Sequence, residues 1–377
     1  MSPTASRPRL AFLGGERVTG YGAVLGRWRW RQAYGRGEEA VDVPADALAE
    51  TTFAGSDVWL AVLNSGAVPL PGQTELAPEA GRVVVSSTVR SPPPQAHTLR
   101  ELEETRMAAG PGGIGEESAA MLFRVADFPA RPAERAAAYL QRLARDVTVR
   151  AFHPELAALV LDEAGEDRAE VTRLFPRPIR KLLDVGCAGG AASAALKREM
   201  PELRVTGVEN DPAPAARARE TLDRVIEGEA PQVLASLMAE GARFDALLFA
   251  DVLEHLEDPI AVLQQARALA APGATLLASV PNAGHLSLVR DLLRGRFDPV
   301  PAGLADAGHL RWFTKDFLRE ALEEAGWRVD QIEALPGAPA PDAAGFLSRL
   351  SDWPGADRES LATYQWLAVA GAADPLD

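Results

Sequence analysis

The C-terminal half of this chain predicts an α/β fold, a mostly parallel β-sheet with helices on both faces, preceded by a smaller α/β or α+β domain. Three observations carry that expectation. Lys181-Leu-Leu-Asp-Val185 is a short apolar run that ends in a turn containing Gly186, Gly189 and Gly190. An acidic residue, Glu209, closes the next apolar run, Val205-Thr-Gly-Val208, about twenty residues further on. Beyond it, apolar runs of strand length alternate with stretches of helical periodicity towards the C-terminus.

In the N-terminal half, Leu10-Ala-Phe-Leu13 and Val58-Trp-Leu-Ala-Val-Leu63 read as strands, with the aromatic-basic cluster Arg27-Trp-Arg-Trp-Arg31 between them as an edge strand or a ligand platform. Ser91-Pro-Pro-Pro94 and Gly110-Pro-Gly-Gly-Ile-Gly115 are breaker-rich loops, and Pro132 to Asp146 has the Ala, Leu, Glu and Arg content of a helix. These features divide the chain into an N-terminal accessory domain of uncertain fold (1–135), a helical linker (136–170) and a C-terminal domain (171–377).

Within that C-terminal domain, Leu182, Leu183 and Val185 suit a buried parallel strand, and the helix from about Ala191 to Met200 aims its N-terminal amides at a ligand held over the glycine turn. Arg224-Val-Ile-Glu-Gly228 is a short strand and Phe244-Asp-Ala-Leu-Leu-Phe-Ala-Asp251 a longer one. Ile260, Val262, Leu263, Ala266 and Leu269 form the apolar face of a helix, ended by Pro272-Gly273 before the strand Ala274 to Val280. A helix over Thr314 to Ala325, a strand from Trp327 to Ala334 and a last strand within Thr363 to Ala370 complete the set.

The glycine turn also narrows the ligand. A dinucleotide fingerprint needs G-x-G-x-x-G, whereas the register here is Asp184-x-Gly186-x-x-Gly189-Gly190, without the second glycine that admits a pyrophosphate. The stretch instead resembles the D-x-G-x-G-x-G signature of class I S-adenosylmethionine-dependent methyltransferases, with Ala188 where the middle glycine stands. "DVLEHLEDP", "VPNAGHLSLVRDLLRGRFD" and "GHLRWFTKDFLREALEEAGWRV" are similar to a subgroup of these enzymes from ubiquinone biosynthesis, often found beside or fused to glycosyltransferases. The similarity covers roughly residues 150 to 377. It implies a Rossmann-like sheet of seven strands with the last antiparallel, and S-adenosyl-L-methionine as cofactor across the carboxyl ends of the first strands. "DVWLAVLNSGAVPLPG" and "AAMLFRVADF" in the N-terminal half resemble the core of GT-A nucleotide-sugar glycosyltransferases, but Asn64-Ser65-Gly66 replaces the acidic pair that would hold a metal there. A binding role, including contact with a partner in a biosynthetic complex, is what that half would retain.

Carried over by position, the resemblance assigns Asp184, Gly186 and Gly190 to the pocket around the methionine part of the cofactor, with Cys187 and Ala188 in the same loop. Glu209 would hold the ribose with Asn210 beside it, and Glu229 falls where the family places an acid near the adenine. Asp251 and Val252 lie where sulfonium and acceptor meet; alternatively Asp251 caps a helix, with Glu254 completing a capping box. Methyl transfer to a hydroxyl also requires removal of a proton, and histidine is the natural base at neutral pH. Of His97, His153, His255, His285 and His309, the last three fall in or after the C-terminal loops of the sheet. His285 and His309 rank ahead of His255, which could simply cap or pack on the helix it starts. Arg311 could bind an anionic acceptor group, Trp312 could stack on a ring or sugar, and Asn282 belongs to the same acceptor side. Ion pairing for Arg311 and core packing for Trp312 and Phe313 are the simpler roles. Arg294-Gly-Arg-Phe297 suggests a mobile basic loop in which specificity would reside.

Other classes are disfavoured. Asp251, Glu254, His255, Glu257 and Asp258 could be taken for a magnesium cluster, but acids at a helix start are explained by its positive end, and the expectation is no metal. A single cysteine, Cys187, rules out an intramolecular disulfide framework. A formal net charge of −14 argues against nucleic acid, and no apolar run is long enough to span a membrane. The expectation is a cytoplasmic O-methyltransferase acting on a sugar, glycan or other small hydroxylated metabolite. N- or C-methylation of a natural product, or a non-catalytic scaffold of the same fold, are the alternatives.

Overall fold

The computed structural model describes residues 168–337 except 177 and 301–302, residues 343–372, and in the N-terminal half 9–13, 41–43, 58–62, 68–69, 83–90, 120–124, 127, 142–143 and 150–160. The chain separates into two units, residues 1–162 with 298–308, and residues 163–297 with 309–377.

In the first unit, seven strands form one mixed sheet: β1 (Arg9–Leu13), β2 (Val41–Val43), β3 (Val58–Val62), β4 (Val68–Pro69), β5 (Val83–Arg90), β6 (Ala120–Arg124) and β7 (Arg150–Val160). Their order is β2-β1-β3-β6-β5-β7-β4. The strands expected at Leu10 and Val58 are β1 and β3, which pair in parallel. The expected helical linker over 136–170 is corrected at β7, which pairs in parallel with β5. Pro154 has no amide hydrogen for a helix, and the β5–β7 register slips across it, from Val85 opposite Phe152 to Ser87 opposite Ala157. The Arg27 to Arg31 cluster, Asn64 to Gly66, the two breaker-rich loops and His97 lie outside the described residues. So does the Pro132 to Asp146 helix, apart from residues 142–143, which are helical.

The second unit holds a sheet of order β10-β9-β8-β11-β12-β14-β13. Its strands are β8 (Lys181–Val185), β9 (Arg204–Glu209), β10 (Arg224–Glu227), β11 (Phe244–Ala250), β12 (Ala270–Pro281), β13 (Trp327–Pro336) and β14 (Thr363–Ala372). β14 runs antiparallel to both of its neighbours, while β8 to β12 pair in parallel. From β8 the chain builds outward through β9 and β10, then returns to the other side of β8 to add β11 and β12. That reversal opens a crevice at the carboxyl ends of β8 and β11.

Helices cover both faces. On one face Leu182, Ala246, Leu248 and Leu277 pack against Val171 of α1 (Ala169–Thr172), Leu196 of α2 (Ala191–Glu199) and Ala218 of α3 (Pro212–Ala218). On the other, Leu183, Val185, Leu247 and Phe249 pack against α4 (Ala230–Ala239), α5 (Pro259–Leu269) and α7 (Lys315–Glu324). The alternation of faces at Leu182 and Leu183 and from Ala246 to Phe249 is what a parallel strand buried on both faces requires. α6 (Leu286–Leu292), α8 (Ala343–Ser351) and α9 (Arg358–Ala362) lie outside these two layers of core contacts. Trp327 and Trp366 are fully buried, and the Trp327 indole donates to the Leu263 carbonyl at 3.0 Å.

Helix starts follow local capping chemistry. Asp211, Asp258 and Thr314 accept hydrogen bonds from Ala213, Ala261 and Phe317 at the first turns of α3, α5 and α7. One stop signal is corrected: α5 ends at Leu269, and Pro272-Gly273 lies inside β12. There the pairing with β11 moves from Phe244 opposite Ala270 to Ala246 opposite Thr275, a bulge that Gly273 permits with φ of 77°.

The turn after β8 carries the tightest steric demand. Gly186 has φ of 73°, and a Cβ there would lie 2.4 Å from Cγ2 of Val252. Gly186→Ala therefore combines left-handed strain with a clash, and the expected loss is about 3 kcal/mol in urea unfolding.

Candidate active site

The crevice at the carboxyl ends of β8 and β11 is a cavity of about 420 Å³. Its walls include Val185, Gly186 and Ala188 from the glycine turn, Glu209 and Asn210 from the end of β9, Glu229 before α4, and Asp251, Val252, His255 and Leu256 after β11. Eight sequence-predicted site residues thus share one cavity: Gly186, Ala188, Glu209, Asn210, Glu229, Asp251, Val252 and His255.

Glu209 organises the cofactor side. One carboxylate oxygen accepts from the Ala188 amide and the other from the Asp211 amide, both at 2.9 Å. An ionised carboxylate offers about four lone-pair sites, so capacity remains for ligand hydroxyls after it has fixed the glycine turn. Gly186, Ala188 and Gly190 all have positive φ, 73°, 46° and 80°. Ala188 thus takes the left-handed conformation that the middle glycine of the signature supplies. Asn210 donates to Glu229 at 3.2 Å, and Glu229, exposed, stands at the N-cap position of α4.

Two members of the signature, Asp184 and Gly190, sit behind the cavity with Cys187. Asp184 is buried beneath the turn and accepts a 2.5 Å hydrogen bond from the Ser193 hydroxyl of α2. Burial pushes its carboxyl up to about 6, the Ser193 bond opposes that shift, and the charge of Glu209 adds to it. Gly190 abuts Ala218 and Leu222, and Cys187 lies buried against Gly207. Burial and the neighbouring charges of Asp184 and Glu209 raise the Cys187 thiol well above its ordinary range, so it is inert. Asp184, Cys187 and Gly190 thus stand behind the turn, and Asp184 braces it through Ser193.

Asp251 follows β11 in a left-handed conformation, φ 56°, and Val252 rather than Asp251 stands at the N-cap position of the next turn. Its carboxylate is ion-paired with Arg168 and accepts from Ser279 at 2.8 Å and from Gln365 at 2.9 Å. Burial would raise this acid, but the Arg168 charge and the hydrogen bonds hold it below the usual carboxylate range. Arg168 also reaches Ser279 at 3.2 Å and Gln365 at 3.4 Å. Arg168 and Gln365 were missed by sequence reasoning; their contacts with Asp251 span 83 and 114 residues, and no local pattern announces them.

The three C-terminal histidines lie in different surroundings. His285 is buried, and its Nδ1 accepts from the Ser287 amide as the N-cap of α6, with its ring edge-on to Tyr364. His255 is exposed and lines the cavity. The Leu310 and Arg311 amides donate to the Glu254 carbonyl at 2.8 and 3.0 Å, which brings the His309 ring to 4.9 Å from that of His255. Trp312 packs edge-on against His309 at 5.6 Å and against Phe297 at 5.0 Å, with both Trp312 and Phe297 exposed. Phe313 is buried and stacked on Phe317.

Asn282 is corrected as an acceptor ligand, whereas Arg311 is exposed. Asn282 is fully buried, donates to the Ser360 and Thr363 carbonyls at 2.7 and 2.8 Å, and accepts from the Gly284 amide. The Arg311 guanidinium binds the Leu310 and Glu257 carbonyls and so fixes its own segment. Of the acids considered for a metal, Asp258 caps α5. Among the described residues, Glu254, His255 and His309 bring one ligand atom each within 4.8 Å of one another.

Residues 137–332, just over half of the chain, match the family described as "Methyltransferase domain". The chain belongs to the S-adenosylmethionine-dependent methyltransferases. Relatives include ubiquinone biosynthesis O-methyltransferases. That of Methylobacterium sp. (strain 4-46) is 30% identical over 183 residues, 46% of this chain and 71% of the relative. That of Dinoroseobacter shibae is 30% identical over 159 residues, 40% and 62% of the two chains. That of Pseudomonas aeruginosa (strain UCBPP-PA14) is 34% identical over 106 residues, 27% and 45%. Among solved structures, a SAM-dependent methyltransferase from Archaeoglobus fulgidus aligns with TM-score 0.41 and 17% identity over 55% of this chain and 96% of its own. The methyltransferase cofactor is S-adenosyl-L-methionine, and the cavity meets its needs: a volume within the ~300–1,000 Å³ of ligand sites, a carboxylate with spare acceptor capacity and a turn free of bulky side chains. No helix among the described residues is long and apolar enough to cross a membrane.

Asp184 supplies a pH signature. A carboxyl raised from 3.8 to about 6 keeps its proton in the folded state where the unfolded chain has lost it. Its contribution to stability is fully present below the unfolded value and is lost as pH rises to about 6. The stability of the natural protein minus that of Asp184→Asn should fall by roughly 2–3 kcal/mol between pH 3.5 and 6.5 in urea titrations.

Proposed function

We propose that this methyltransferase transfers a methyl group to a hydroxyl of a small acceptor bearing a ring, aromatic or sugar, with His255 as the general base. The observation that carries the reading is the exposed imidazole of His255 in the wall of the cofactor cavity, with His309 against it. The exposed rings of Trp312 and Phe297 continue from His309 and suit a ring-shaped acceptor. The relatives named as O-methyltransferases support oxygen as the methylated atom.

When bound, the cofactor supplies an electrophilic methyl group. Glu209 accepts hydrogen bonds from its hydroxyls while holding the glycine turn, and Val252 and Leu256 keep water from the wall next to His255. His255 takes the acceptor proton at an imidazole nitrogen, and His309 fixes the ring that does so. Asp251, committed to Arg168, holds the wall in place and is not a base.

His255→Gln should lower kcat by about 10²–10⁴-fold with a phenolic or sugar hydroxyl acceptor, with the affinity for S-adenosylhomocysteine unchanged by calorimetry. Turnover indifferent to that substitution would favour an amine acceptor, and unchanged binding without turnover on any acceptor would favour a scaffold. Glu209→Ala should abolish cofactor binding in the same assay.

A second reading rests on the clustering of Glu254, His255 and His309 within 4.8 Å. Two imidazoles and a carboxylate form a donor set for a divalent cation, which would orient an acceptor oxygen beside the cofactor cavity. Calorimetric titration with Zn²⁺ and Mg²⁺ separates the two: a stoichiometric heat that His309→Ala removes indicates the cation, and its absence leaves His255 as an unassisted base.

A further inference from the structure

A second cavity, of about 430 Å³, lies in the C-terminal unit and shares no described lining residue with the cofactor cavity. Val289 and Leu293 on the side of α6, Leu350 of α8, Trp353 in the turn that follows and Leu361 of α9 form its walls. Trp353 is 72% and Leu293 65% exposed, so two of its largest apolar side chains stand in water at the rim of a concave site. Isolated exposed apolar residues need no explanation; several converging on one cavity of ligand size do.

Two polar side chains, Asp357 and Ser360, are among the described lining residues. Asp357 accepts from the Ser360 amide at 3.1 Å as the N-cap of α9. The Ser360 carbonyl and hydroxyl accept from Asn282 at 2.7 and 3.4 Å. No lysine, arginine or histidine is among the described lining residues, and the one charge present, Asp357, repels anions.

We propose that this cavity binds an uncharged apolar ligand, a hydrocarbon chain or an unsubstituted ring, and discriminates against the matching carboxylate. Such a ligand covers the exposed apolar side chains of Trp353 and Leu293. The same chemistry can come from an apolar tail on the methyl acceptor or from a separate small lipid. The site stands independently of the acceptor reading above, because cofactor binding is measured separately.

The test is calorimetric titration of the full chain with 1-decanol and with decanoate, repeated on Leu293→Asp and Trp353→Ala. Both substitutions fall at exposed positions, and S-adenosylhomocysteine binding reports whether each variant is folded. The expected result is saturable decanol binding at least about tenfold tighter than decanoate, weakened at least about tenfold in both variants, with cofactor affinity unchanged. Decanol that competes with an alkyl-chain acceptor in the transferase assay identifies the acceptor's tail as the ligand; decanol that binds without competing identifies a separate ligand. Three outcomes overturn the proposal: no decanol binding, equal affinity for decanoate, or undiminished binding in both variants. Co-sedimentation with phosphatidylcholine vesicles that both variants lose, without decanol binding, would also overturn it and make this face a membrane contact.

Discussion

The ion pair between Arg168 and Asp251 is the interaction on which the catalytic crevice depends. It joins the residue before α1 to the end of β11, and through Ser279 and Gln365 it adds β12 and β14. Removing a carboxylate and a guanidinium from water costs several kcal/mol per ion, and the pair survives only when the remaining donors and acceptors are satisfied. Here Ser279 and Gln365 complete the arrangement, so four segments distant in sequence must come together for either charge to be tolerated. With Asp251 so fixed, the chain leaves β11 in a left-handed turn, and Val252, His255 and Leu256 fall into the cavity wall.

Across the cavity a second carboxylate works locally. Glu209 ties the Ala188 amide to the start of the β9–α3 connection and so holds the glycine turn against the end of β9. Ala188, in a conformation unfavourable for any residue with a Cβ, is held by that bond. The two carboxylates differ in what they leave for a ligand. Asp251 gives both oxygens to side chains of the protein, whereas Glu209 gives its oxygens to single backbone amides and keeps lone pairs facing the cavity.

This difference explains how much the sequence disclosed. The strands of the C-terminal sheet, the glycine turn and Glu209 are written in short-range patterns: apolar runs, positions that need positive φ, an acid at the end of the next strand. The Arg168 network is legible nowhere, because its three contributors to Asp251 come from the residue before α1, β12 and β14. β7 escaped because Pro154 and the alanines around it look like the end of a helix, until β5 provides a partner whose register can absorb the proline. Pro272-Gly273 misled for the opposite reason: a helix-stopping dipeptide is equally a bulge-forming one, and only the pairing of β11 with β12 decides.

The acceptor side shows the limit most clearly, since residue type there does not disclose which side chains line the cavity. His285 and Asn282 lie in a loop that follows a strand, where polar residues signal chemistry, yet their hydrogen-bonding atoms are committed to closing that loop on Ser287, Ser360 and Thr363. His255 closes the short turn Leu253–His255, Asp258 caps the helix that follows, and His255 lines the cavity. A polar side chain in a strand-end loop can serve the ligand only with atoms that the backbone has not already claimed. That claim depends on which carbonyls and amides the tertiary fold strands nearby. Asn282 is therefore held by the Ser360 and Thr363 carbonyls at the end of α9 and the start of β14, whereas His255 lines the cavity.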